Sequence, residues 1–347
     1  MKKYDVVALG ELLVDFTENG MSSQGNVLLE ANPGGAPCNV LSMLQRLGKK
    51  TAFIGKVGND NFGKMLRDIV KEQGINIDNV ILDGEVHTTL AFVHTKEDGD
   101  RDFSFYRSPG ADMMLRKKEI NESLLDNTRI FHFGTLSMTE EKIAETTKYA
   151  LDKAKDFGAV ISFDPNLRPP LWDDLEKAKE QMWYGISKCD VLKISDDEIS
   201  FLTEEADIEK GVKKILKKYQ PALICATQGK NGSIAYYKGQ SFCQKAFIRK
   251  DTVETTGAGD TFMACVLNSV LEKGLNNLTE SDILHMLKFA SAASSIITTK
   301  RGALKVMPQK EDIIVFLNMR ESIRYKEVLE LVAVLGYDIV WQKRREK

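Results

Sequence analysis

The chain lacks a Cys-x-x-Cys pair, an apolar run of membrane-spanning length, a strong charge of either sign and a Gly-x-x-x-x-Gly-Lys-Ser/Thr loop. Its five cysteines (Cys38, Cys189, Cys225, Cys243, Cys265) are scattered, which excludes a cysteine zinc site and suits reduced thiols in a cytoplasmic setting. Leu90–Val93 and Ala222–Ala226, among the longest apolar runs, fall far short of the ~20 residues of a transmembrane helix. Met-Lys-Lys passes directly into an apolar strand-like run, so no cleaved leader is expected. With 48 Lys plus Arg against 50 Asp plus Glu and a net charge of −2, no global field favours nucleic acid or an anionic membrane. A small-molecule partner is the better expectation. The four histidines are dispersed and read as structural or surface residues. If phosphate is bound, a design other than the P-loop must bind it.

What is present suits a large core: 347 residues, 43% of them hydrophobic. Strand-like runs alternate with helix-period segments along most of the chain. Val6–Leu9 precedes 39–47, and Thr51–Lys56 precedes Gly63–Gln73. Arg129–Phe133, Ile143–Lys155, Ala159–Phe163, Leu175–Ile186, Val191–Ile194, Asp197–Leu202 and Ala222–Thr227 continue the pattern. Short buried strands separated by helices predict a doubly wound α/β domain with a mostly parallel sheet covered on both faces.

Two segments break that rhythm. Residues 11–33 and 88–110 carry β-rich, partly alternating patterns, the second folded about a turn at Glu97-Asp-Gly-Asp100. Together they predict a small projecting sheet, suited to covering a substrate or to pairing with a second subunit. After Pro308 a helix over Glu311–Leu317 leads to a tail with helical spacing at Tyr325–Leu335, a strand-like Tyr337–Trp341 and a basic end, Lys343-Arg-Arg-Glu-Lys347. We therefore divide the chain into a domain over 1–318 and an extension over 319–347.

The sharpest chemical signal is Thr255-Thr-Gly-Ala-Gly-Asp-Thr-Phe262, which opens a stretch apolar at helical spacing. Glycines that free backbone N–H groups at a helix N-terminus make an anion site, and Asp260 is the carboxylate placed inside it. A glycine turn capping a core helix is the plainer reading of the same residues. A second cluster is Pro33-Gly-Gly-Ala-Pro-Cys-Asn39. Gly34 and Gly35 permit close backbone approach to a ligand, and Asn39 either caps the following helix or hydrogen-bonds a hydroxyl. Asp15, beyond the first strand, can accept from two hydroxyls at once, as a polyol site requires.

Together with Gly48, Gly58, Gly10-Glu-Leu-Leu-Val-Asp15, Phe105-Tyr-Arg-Ser-Pro-Gly-Ala-Asp112, Phe131-His-Phe-Gly134, Asp164-Pro-Asn-Leu-Arg168 and Lys193-Ile-Ser-Asp-Asp-Glu198, these motifs resemble the ribokinase-like (PfkB) family of carbohydrate kinases over roughly residues 4–318. Within that family the chain is most similar to the fructokinases of bacteria and plants.

The resemblance implies a ribokinase-like fold with a β-sheet lid, ATP and Mg²⁺ as cofactors, and transfer of the γ-phosphoryl group to fructose. Asp260 is then the general base, and the N–H groups of Gly257, Ala258 and Gly259 stabilise the transferring charge. Asp15, Gly34, Gly35, Asn39, Arg107 and Arg168 fall on the sugar side. Lys193, Glu198, Thr227, Gly229, Gly232 and Ser291 fall on the ATP side, with Glu198 acting on Mg²⁺ through water. Glu254 stands where many relatives have Asp, and with Thr256 it marks the place of a K⁺ ion. Other implied readings are a kinase for 2-keto-3-deoxygluconate, ribose or a nucleoside, and a sugar-binding regulator without catalysis. A homodimer through the lid is also implied.

Overall fold

The computed structural model of the chain describes residues 2–95, 101–320 and 322. The turn expected at 97–100, the tail elements expected at 325–335 and 337–341, and the basic end at 343–347 lie outside them. The strands are β1 (Tyr4–Leu9), β2 (Leu13–Met21), β3 (Val27–Gly34), β4 (Thr51–Gly58), β5 (Asn76–Asp83), β6 (Leu90–Thr95), β7 (Arg101–Tyr106), β8 (Thr128–Phe133), β9 (Val160–Phe163), β10 (Val191–Ser195), β11 (Leu223–Thr227), β12 (Ser233–Tyr237) and β13 (Gln240–Gln244). The helices are α1 (Ala36–Arg46), α2 (Asn61–Glu72), α3 (Glu122–Asp126), α4 (Glu141–Asp156), α5 (Leu175–Lys188), α6 (Asp196–Thr203), α7 (Ile208–Lys218), α8 (Ala258–Lys273), α9 (Glu280–Ile297) and α10 (residues 310–320).

The main sheet has nine strands in the order β13-β12-β11-β10-β9-β8-β1-β4-β5. It is parallel from β5 across to β11, and β12 and β13 add an antiparallel edge. Alternation along β1 divides the core in two. Val6 and Ala8 face a cluster with Leu41, Leu66, Val266 and Met286, whereas Val7 and Leu9 face one with Ile143, Leu151, Met182 and Ile199. Helix α8 is buried along most of its length because its sequence is apolar all round, and it packs between α1 and α9.

After β1 the chain crosses to β4 and β5 on one side, then returns to β8 on the other. That reversal opens a crevice beyond the carboxyl end of β1, where ligands of such sheets bind. Helix starts differ in how they are capped. Helices α2, α5, α6, α7 and α9 are capped by Asp60, Asp174, Ser195, Asp207 and Thr279. Helices α1 and α8 instead begin on Gly35 (φ 125°) and Gly257 (φ 74°) with no side-chain cap. At α1 the first amide donates instead to the Glu11 carboxylate and Pro37 has no N–H, whereas at α8 Gly259 reaches the crevice.

Strands β2, β3, β6 and β7 form the separate sheet expected from the β-rich segments, in the order β3-β2-β6-β7. Strands β2 and β6 pair in parallel, and the outer pairs are antiparallel. Phe16 lies opposite Phe92 in the register, and their rings stack at 5.0 Å. Among the described residues no helix is long and apolar enough to cross a membrane.

The alternation in the sequence misses β5, α7, β12 and β13. β5 is half-buried at an edge, whereas α7 carries Ile208, Val212 and Ile215 at helical spacing and was open to detection. β12 and β13 form a hairpin that the βα rhythm does not anticipate.

In the second core cluster the Phe133 and Phe163 ring centroids lie 4.7 Å apart, and α5 approaches Phe163 through Gly185. A Cβ at Gly185 would stand 2.4 Å from the Phe163 ring. Gly185→Ala should gain up to ~1 kcal/mol of helix propensity but lose ~1–3 kcal/mol to overpacking, a net loss. A lower urea midpoint at unchanged slope is expected; an unchanged or higher midpoint would show that the core yields here.

Candidate active site

Two cavities open along the carboxyl edge of the main sheet. One, of about 460 Å³, is lined by the small sheet, by the loops after β1, β8 and β9 and by both glycine motifs. The other, of about 370 Å³, lies between the β11–β12 turn and the facing sides of α8 and α9. Thr255 and Gly259 belong to both linings, so the cavities meet at the start of α8.

The first cavity gathers Asp15, Gly34, Gly35, Asn39 and Arg168 from three separate stretches of chain. Strand alternation explains Asp15, because Leu13, Asp15 and Thr17 share the face of β2 that looks into the cavity. The glycines are fixed by close approach. A Cβ at Gly34 would stand 2.1 Å from Asp15 Oδ2, and one at Gly35 would stand 2.4 Å from Glu11 O. Gly257, Gly259, Asp260, Glu254 and Thr256 line the same cavity. Thr227, Gly229, Gly232 and Ser291 line the second, with Ala258 and Gly259. The Thr227–Gly232 element is thus both a strand-to-strand turn and a cavity wall.

Asp260 is the third residue of α8 and is buried. Asn39 Nδ2 donates to its Oδ2 at 2.8 Å. Of the two roles foreseen for Asn39 the capping one is not seen, because α1 starts at Ala36 and places Asn39 a full turn inside the helix, and the residue lines the first cavity. Burial raises the Asp260 pKa above the ordinary aspartate value, while Asn39, Lys193, Arg168 and the Asn166 side chain oppose that rise. The carboxylate is therefore desolvated yet held by donors and cations, the condition of a base whose proton affinity is raised.

Lys193 Nζ forms a buried ion pair with Asp164 Oδ2 at 2.8 Å and would lie 3.2 Å from a Cβ at Gly259. Burial opposes the lysine's charge, but the Asp164, Glu198 and Asp260 carboxylates outweigh it and raise its pKa. A cation is thus fixed beneath the first turn of α8. Glu198 is buried, accepting from Ser195 N at 2.9 Å and from Leu167 N at 2.8 Å. It completes a capping box on α6 and pins the loop that carries Asn166 and Arg168.

Other expected residues have different surroundings. The Ala258 amide donates to Thr255 O at 3.2 Å, so it is already committed to the turn. Glu254 Oε1 accepts from Gly302 N at 2.8 Å, tying a late loop to the cavity. Arg107 is buried at the root of β7, holding Asp112, Leu136 and Thr139, and it lines a different cavity with Pro109 and Met114.

Glu11 and Asn166 escaped the sequence reading. Glu11 lines the first cavity, accepts from Ala36 N at 2.8 Å, and burial pushes its pKa up to about 7. Its position just past β1, at the sheet's reversal, was the available signal. Asn166 takes a left-handed backbone (φ 48°), which asparagine tolerates, and this aims its side chain at Asp260.

The chain is similar to fructokinases along most of its length. Probable fructokinase-2 of Arabidopsis thaliana is 39% identical over 318 residues, covering 91% of this chain and 96% of that protein. The crystal structure of a fructokinase from Xylella fastidiosa with bound ATP superposes with a TM-score of 0.84 at 29% identity, over 92% of this chain and 100% of that one. A fructokinase from Vibrio cholerae O395, with fructose, ADP and calcium bound, gives a TM-score of 0.82 at 28% identity over 90% and 99%. The model of the pfkB family of carbohydrate kinases matches residues 3–310, and the chain belongs to that family.

Proposed function

We propose that the protein is an ATP-dependent fructokinase, with fructose in the first cavity, ATP in the second and Asp260 between them. The observation that carries this reading is the meeting of the two cavities at Gly259, one residue from a buried carboxylate. Similarity to fructokinases over nine-tenths of the chain supports the choice of sugar and of phosphoryl donor.

In this reading Asp15 and Asn39 orient the sugar, and Asp260 accepts the proton of the 6-hydroxyl as its oxygen bonds to the γ-phosphorus and ADP leaves. The first-turn amides of α8 and the Lys193 charge stabilise the phosphoryl oxygens. Ala258 contributes once its turn hydrogen bond to Thr255 yields. Arg168 balances charge at the same end.

The donor set suits a hydrated Mg²⁺. Among the described residues no group of three acidic, histidine or cysteine side chains forms a cage, yet Asp164 Oδ1 is buried without a hydrogen-bond partner beside Lys193. Mg²⁺ bound through few carboxylates, waters and ATP oxygens needs no cage, and it supplies neutralisation of the phosphate charge. Glu198 and Asp164 are the residues we assign to it. K⁺ at Glu254 and Thr256 belongs to the same reading, and an ion there shares Glu254 with the loop at Gly302.

We take residues 1–318 as the kinase domain, 319–347 as an extension, and the four-stranded sheet as a lid. Met21, Val27, Leu28, Leu29 and Tyr106 are exposed apolar side chains on that lid, and edge strand β3 carries three of them in a row. A second copy of the chain pairing lid to lid would cover them. A reducing cytoplasm suits the cysteines.

Asp260→Asn should lower kcat for fructose by about 10²–10⁴ in a coupled ADP-release assay, and near wild-type turnover would remove Asp260 as base. The pH profile gives a second check. Because the reaction needs Asp260 ionised and burial raises its pKa, kcat/KM should fall on acidification at a pH above the ordinary aspartate range. Asn39→Ala removes a hydrogen bond that lowers that pKa, so its acid limb should move to higher pH. A limb that stays put or moves down would contradict the assignment. For the lid, light scattering should give a dimer for the wild type and a monomer for Leu28→Glu with Tyr106→Glu; a monomeric wild type would overturn the pairing.

A further inference from the structure

Next to a residue of the sugar-side cavity, Leu136, lies an arginine with four of its five N–H donors engaged. The Arg107 side chain is 3% exposed. Its Nε donates to Asp112 Oδ2 at 2.8 Å, and Nη2 stands 2.7 Å from the same oxygen. Nη2 also donates to Leu136 O at 2.8 Å, and Nη1 donates to Thr139 Oγ1 at 2.9 Å. The other Asp112 oxygen accepts from Thr89 Oγ1 at 2.5 Å, and the Asp112 side chain is 2% exposed. The nest is built tightly: a Cβ at Gly110 would fall 1.8 Å from Thr89 Oγ1, 2.7 Å from Asp112 Oδ1 and 3.0 Å from Arg107 Cγ.

Two links connect this pair to the cavity. Leu136, whose carbonyl Arg107 holds, lines it. Glu11 also lines it and lies within electrostatic reach of both Asp112 and Arg107. A sugar carrying a carboxylate needs a counter-charge, and Arg is the residue that recognises carboxylates as a fork. Here the fork is already taken by Asp112, and the acid facing the cavity at this end is Glu11. The arginine that does line the cavity, Arg168, acts at the Asp260 end, where the phosphoryl group arrives.

We propose that Asp112 makes the sugar cavity selective for neutral sugars, by neutralising and pinning an arginine that would otherwise give a sugar acid its counter-charge. Asp112 is thus a positioning residue that acts through Arg107. The inference rests on the sugar-kinase reading and adds to it the excluded substrate class.

The test compares kcat/KM for fructose and for 2-keto-3-deoxygluconate in the wild type, in Asp112→Asn and in the double variant Arg107→Met with Asp112→Leu. The wild type should favour fructose by about 100-fold or more. Asp112→Asn should shift that ratio about tenfold or more toward the acid, mainly through a lower KM for the acid. The double variant holds neither charge, and replacing both partners of a buried pair is better tolerated than removing one, so it should fold and keep the wild-type preference. An unchanged ratio in Asp112→Asn overturns the inference, and so does an equal shift in the double variant. If Asp112→Asn fails to fold, the double variant alone decides: retained preference supports the proposal and a gain on the acid refutes it. A wild type that turns over the acid and not fructose would instead defeat the sugar-kinase reading itself.

Discussion

Asp260 must be dry enough to be a strong proton acceptor and charged enough to act as one, and much of the site serves that balance. Burial alone pushes its pKa up, toward the neutral form. The Asn39 amide, the Asn166 side chain and the Lys193 and Arg168 charges oppose that outcome, and they come from three parts of the fold: α1, the loop after β9 and strand β10. The parallel sheet brings them together because the loops after β1, β9 and β10 and the starts of α1 and α8 converge where the strand order reverses. Lys193 is itself stable as a cation there because Asp164 and Glu198 surround it. The ionisable groups thus hold one another in their working states, and removal of one is expected to disturb several.

Two glycines open this edge to ligands. Most long helices in the fold finish their first turn with an Asp, Ser or Thr cap, whereas α1 and α8 start on Gly35 and Gly257 in backbone conformations that a side chain would strain. At Gly257 a Cβ would also collide with Ala303 at 2.6 Å. At α8 the fold forgoes a side-chain cap where amides are wanted for a substrate, whereas at α1 Glu11 takes the first amide. The lid contributes its alternating face, Leu13, Asp15 and Thr17, so that one strand covers the sugar cavity while its other face, with Phe16, stacks within the lid.

Much of this was legible in the sequence because its causes are local. Period-two and helical spacing gave the main sheet and the lid strands, and the glycine motifs lead to both cavities. The partner of Asn39 was not legible, since Asp260 lies 221 residues away and only the packing of α1 against α8 joins them. Arg107 read as a sugar contact because an arginine in a motif shows its charge but not its neutraliser, Asp112, five residues on. Glu11 passed unnoticed since a single acid after a strand resembles any polar strand end. The antiparallel edge, β12 and β13, also depends on long-range pairing.

The most direct test of the account is a crystal structure of the protein with fructose and a non-hydrolysable ATP analogue bound together. The account expects the 6-hydroxyl of fructose within hydrogen-bonding distance of an Asp260 oxygen, roughly 2.6–3.2 Å, with the nucleotide in the cavity walled by Thr227 and Ser291 and its γ-phosphate at Gly259. A 6-hydroxyl placed against a different acid such as Glu11, or a nucleotide seated elsewhere, would contradict it.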